Sequence, residues 1–85
     1  MEPRKALYQA KTLLRYSPTT EQLQVLRNNI HTWLIEAKEK DSQLPSTLAS
    51  YAAPYEWMMD LVNQVLDQKI SFAQAIEDIH QYQLD

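Results

Sequence analysis

The sequence predicts an all-α fold: a small antiparallel bundle of four main helices, with one extra short helix accommodated around residues 46–53. Three observations carry that expectation. The 85 residues contain no glycine, the residue that enters left-handed backbone without steric cost and that two-residue strand hairpins favour. Apolar residues recur at spacings of three and four, the repeat of one helix face. Prolines and Ser/Thr-led caps separate these stripes from one another.

The first helix is expected over residues 3–16. Pro3 suits a first helical position, where its missing N–H costs nothing. Leu7, Ala10 and Leu14 form the stripe, with Ala6 and Leu13 widening it. Pro18 should stop the helix, because a proline pushes the preceding residue out of the helical region. The second helix is expected over residues 19–40. Either Ser17 caps it with Pro18 following, or Thr19 and Gln22 close a capping box. Leu23, Leu26, Ile30, Trp33 and Ala37 form its stripe, and Val25 and Leu34 extend it sideways. Residues 41–54 read as a loop followed by a short helix or irregular turn ending at Pro54. The third helix is expected from 54 to 67, with Met58, Leu61, Val62, Val65 and Leu66 inward and Trp57 at the flank. After a turn at 67–69, Ser71 and Gln74 have capping-box spacing, and Ile70 with Ala75 occupies the positions of a hydrophobic staple. Phe72, Ala75, Ile76 and Ile79 then face inward, with Tyr82 one turn on.

Length and composition narrow the functional classes. Residues 1–85 make one helical domain, near the lower size limit for a self-sufficient core. There is no cysteine, so disulfides, thiolate zinc sites and thiol chemistry are excluded. Without glycine there is neither a P-loop nor a dinucleotide fingerprint. Apolar runs reach only three residues, too short for a bilayer. With no apolar leader after the first residues, the expected location is cytoplasmic.

The net charge of −3 is unevenly spread. Residues 1–30 carry Arg4, Lys5, Lys11, Arg15 and Arg27 against Glu2 and Glu21, a balance of +3. Residues 31–85 carry three lysines against nine carboxylates, a balance of −6. Such polarity steers charged partners. The plainer expectation is that oppositely charged helices neighbour each other and pair across the bundle.

No catalytic constellation is visible. His31 with Glu36, and His80 with Glu77, supply two ligands each where zinc needs three or four. The serines lie in caps and loops without a nucleophile elbow. The chain is therefore expected not to be an enzyme and to need no cofactor or metal. Arg4, Lys5, Lys11 and Arg15, with Tyr8 and Tyr16 among them, form a basic N-terminal helix. That helix supports an alternative role as a nucleic-acid-associated regulator, which the acidic whole, with a pI near 5.2, disfavours.

The segment around Pro54 is more suggestive. Tyr51, Tyr55, Trp57, Met58 and Met59 crowd together there, and Trp, Tyr and Met are enriched at protein interfaces. Core is their ordinary use. Yet three consecutive helical residues cannot all turn inward, so part of Trp57-Met58-Met59 should reach the surface. Tyr51, Tyr55, Trp57 and Met59 are the expected apolar anchors. Glu56, Asp60, Glu77 and Asp78 form the expected acidic face, and Glu56 with Asp60 is a like-charged pair that fits a basic partner. The expected function is non-catalytic protein binding, as an adaptor, an inhibitor or immunity-type protein, or a regulatory subunit. A homodimer is a further expectation for so thin a core.

Overall fold

The computed structural model describes residues 1–43 and 50–82, which form four helices packed against one another and no strand. The helices are α1 (Pro3–Arg15), α2 (Thr20–Asp41), α3 (Ala53–Leu66) and α4 (Phe72–Gln81). The segment 46–53, expected to hold a short helix, lies partly outside the described residues. Within it, residues 50–52 are not helical and Ala53 opens α3.

Local chemistry sets the boundaries. Pro3 stands in the first turn of α1. Thr19 caps α2 in a reciprocal capping box: its Oγ1 accepts from the Gln22 amide at 3.1 Å, and its own amide donates to Gln22 Oε1 at 2.9 Å. Ser71 Oγ accepts from the Gln74 amide at 3.1 Å at the start of α4. The Gln74 side chain turns instead to Asp78, donating from Nε2 to Oδ1 at 2.8 Å.

With no glycine available, other residues fill the left-handed positions that close helices. Gln68, at φ 60, follows α3 in a Schellman motif. The Lys69 amide donates to Gln64 O, and the Gln68 amide to Val65 O. Ser17, at φ 50, does the same duty between α1 and buried Pro18.

α3 has no side-chain cap of its own, because its N-cap is Ala52. Asp41, the last residue of α2, supplies the missing acceptors. Its Oδ1 accepts from the Tyr51 amide at 2.6 Å, and its Oδ2 from Ser50 Oγ at 2.7 Å and the Ala52 amide at 3.1 Å. One carboxylate thus ties the entry of α3 to the exit of α2. The Ser50 hydroxyl, then the Tyr51 amide, hold this carboxyl below its ordinary range.

α2 with α3, and α1 with α4, are the most extensive packings, and α3 also touches α1 and α4. α3 therefore occupies the middle. Its stripe Tyr55, Met58, Leu61, Val62 and Val65 is buried, and Met58 is 0 % exposed. Ala6, Leu7, Ala10 and Leu14 of α1 join one continuous core with Leu23, Leu26, Ile30, Leu34 and Ala37 of α2 and Ala75 and Ile79 of α4. On α2 Leu34 belongs to the buried stripe, while Trp33 sits at its margin, partly buried against it. Val25 lies two residues from Leu23, about 200° round the helix, and is 59 % exposed. Among the described residues no polar or charged residue is buried.

The oppositely charged ends neighbour each other, since α1 packs on α4, but among the described residues no side-chain ion pair joins α1 to α4. The ion pair recorded among the described residues joins the Met1 ammonium to Glu36 at 4.0 Å. No described helix is long and apolar enough to cross a membrane.

Candidate docking surface

α3 and α4 are joined by the turn at 67–71, and a groove opens between their flanks. Trp57, Asp60, Leu61 and Gln64 line it from α3, and Asp78, Gln81 and Tyr82 from α4 and its end. Helical spacing explains the membership. Trp57, Asp60, Leu61 and Gln64 follow a three, one, three rhythm along one flank of α3, and Tyr82, the C-cap of α4, comes four residues after Asp78. The Trp57 and Tyr82 rings stack with centroids 4.3 Å apart and planes inclined by 26°. Both are half-buried and pack against the core, so the groove has a rigid aromatic edge.

Three carboxylates of α3 and α4 are held by glutamines. Gln64 Nε2 donates to Asp60 Oδ2 at 2.7 Å, Gln74 Nε2 to Asp78 Oδ1 at 2.8 Å, and Gln81 Nε2 to Glu77 Oε1 at 2.7 Å. A neutral amide orients a carboxylate without cancelling its charge. No ion pair among the described residues engages Glu56, Asp60, Glu77 or Asp78. The surface is negative and its acids are pre-positioned.

The structure divides the expected anchors. Trp57, Asp60 and Asp78 meet in the groove. Glu56 is exposed on the outer face of α3, one turn before Asp60. Glu77 is exposed on α4 and does not line the groove. Met59 is half-buried on the flank of α3 opposite Trp57, because two helical steps rotate a side chain by about 200°. Tyr51 is 50 % exposed but lies at a different groove, with Met1, Trp33, Glu36 and Lys40. Tyr55 must be corrected: it is 3 % exposed, belongs to the core and offers no surface anchor. Its position three residues before Met58 and seven before Val62 places it in the buried stripe, and its hydroxyl donates to the Met1 carbonyl. Burial foremost, then Glu36 and Glu2, push its phenol above the ordinary range. Tyr82, expected one turn beyond Ile79, packs against the core and stacks on Trp57, a contact that spacing along one helix does not specify.

Among the described residues no three His, Asp or Glu side chains converge as a metal site would require. His31 and His80 are both exposed. Compared with known proteins, the chain matches no family model, no curated protein and no solved structure.

Proposed function

We propose that this protein is a non-catalytic binding module whose α3–α4 groove takes a basic segment of another protein. The observation that carries the reading is the set of glutamine-held, cation-free carboxylates beside the Trp57–Tyr82 stack. An arginine side chain matches it chemically. Its planar guanidinium stacks on an aromatic face while its N–H groups reach carboxylates on either side. Asp60 and Asp78 stand on opposite walls of the groove. Because both are already oriented, little ordering is needed on binding. Adaptor, inhibitor and regulatory-subunit roles all use this physical device. A cytoplasmic setting belongs to the same reading, since a cysteine-free fold draws nothing from an oxidising compartment.

Calorimetric titration with an arginine-rich peptide at low salt tests the proposal. Wild-type protein should bind it, and Asp60→Asn with Asp78→Asn should weaken binding by at least about tenfold, the loss of one or two charge-assisted hydrogen bonds. Glu77→Gln, outside the groove, should leave binding unchanged. Absence of heat with the wild type, or equal binding by all three proteins, would refute the reading.

A further inference from the structure

The faces of α1 and α3 that carry no core residues have a relation that the groove does not use. On α1, Arg4, Tyr8, Lys11 and Arg15 follow spacings of four, three and four, so they form one stripe. Arg4 and Arg15 are exposed, Lys11 is half-exposed, and Tyr8 is 65 % exposed. On α3 and its C-cap, Glu56, Asp60, Asn63 and Asp67 follow the same spacings in the same order. Glu56, Asp60 and Asp67 are exposed and Asn63 is half-exposed. The α3 stripe lies opposite its helix's buried residues, the α1 stripe flanks its own, with Lys11 one turn from buried Leu7 and Leu14, and the described residues contain no ion pair between the two stripes.

We propose that a second copy of this chain covers these stripes, α1 of one molecule lying antiparallel along α3 of the next. The spacing four, three, four reads the same in both directions. Antiparallel alignment therefore sets Arg4 against Asp67, Tyr8 against Asn63, Lys11 against Asp60 and Arg15 against Glu56. Parallel alignment would oppose Lys11 to the neutral Asn63 and Tyr8 to Asp60, with one charge pair fewer. Antiparallel helices also align their dipoles favourably. The contact in this proposal is head-to-tail, α1 of one molecule on α3 of the next, which leaves each molecule one free stripe for another copy. A single helix pair is a small interface, so the association is weak and reversible. It depends on charge, and salt screens it. The inference shares Asp60 with the proposed binding surface and rests on that side of α3 being open.

Sedimentation equilibrium on the whole chain decides it. At about 0.01 M ionic strength, where the Debye length is about 30 Å, the average mass should climb with concentration without stopping at a dimer. At about 1 M, where that length is about 3 Å, it should return to the monomer. Two neutralised proteins sharpen the test: Arg4→Gln/Lys11→Gln/Arg15→Gln, and Glu56→Gln/Asp60→Asn/Asp67→Asn. Each alone should stay monomeric with an unchanged helical spectrum. Their equimolar mixture should form one-to-one pairs and grow no further, because only one complementary contact remains. Wild-type protein that is monomeric at low salt overturns the proposal, as does a salt-insensitive mass that stops at the dimer. Assembly that appears only when a DNA oligonucleotide is added also overturns it and assigns the α1 stripe to nucleic acid. If self-association fails while the arginine-rich peptide still binds, the groove reading stands and only this inference falls. If the peptide fails while the charge-matched mixture pairs, the reverse holds.

Discussion

Replacing Met58 with alanine, beside the same change at Met59, probes the rotational setting of the central helix. Met58 is fully enclosed between α3 and its neighbours, and Met59 is half-buried one residue on. Truncating a fully buried methionine costs about 2–5 kcal/mol, the lost transfer energy plus the cavity left behind. At a half-exposed position the cavity fills with solvent and only part of the transfer energy is lost, about 1 kcal/mol. An 85-residue chain has a total stability of only about 4–13 kcal/mol at the usual value per residue. Met58→Ala should therefore remove a large share of it, and at about 4–8 °C per kcal/mol should lower Tm by more than about 8 °C. Urea unfolding followed by far-UV circular dichroism gives the free-energy loss, and a thermal melt of the same samples gives the Tm shift. Equal costs at the two positions, or a smaller cost at Met58, would mean that α3 is rotated from the orientation described and that Trp57 does not line the groove.

Two further predictions address the helix ends. Asp41 is held below its ordinary 3.8 chiefly by the Ser50 hydroxyl, so the folded chain binds this proton less tightly than the unfolded one. Its stabilisation is complete above that ordinary value and is lost as pH falls through the lower folded value. The Tm difference between wild type and Asp41→Asn should accordingly be larger at about pH 6 than at about pH 3; a constant difference would contradict the latch. Gln68→Gly should raise stability by up to about 1 kcal/mol, the left-handed cost relieved less the added freedom of the unfolded chain. A loss of that size on chemical denaturation would contradict the Schellman ending of α3.

Much of this was legible from local chemistry. The cap at Thr19 and the start at Ser71 follow from side chains bonding amides three residues on, which needs no tertiary knowledge. The stripes of α1 and α4 are set by spacing alone. The burial of Tyr55 follows from its phase with Met58 and Val62, whereas its aromatic neighbours Tyr51 and Trp57 lie off that phase and reach the surface. Asp41 was silent in the sequence because its partners lie nine to eleven residues on, across a connection whose path spacing does not specify. The Trp57–Tyr82 stack was equally silent, since it depends on how the turn at 67–71 angles α4 against α3. Asp60 and Asp78 were each visible as acids of a polar helix face. Their meeting in one groove is a property of the packed pair.

The most direct test of the groove as a docking surface is an amide and indole NMR map of the protein titrated with the arginine-rich peptide. The Trp57 indole and the signals of Asp60, Gln64, Asp78 and Tyr82 should move together, while the Trp33 indole and the outer face of α2 around Val25 stay in place. Shifts centred on Trp33, or spread evenly over all four helices, would contradict the groove reading.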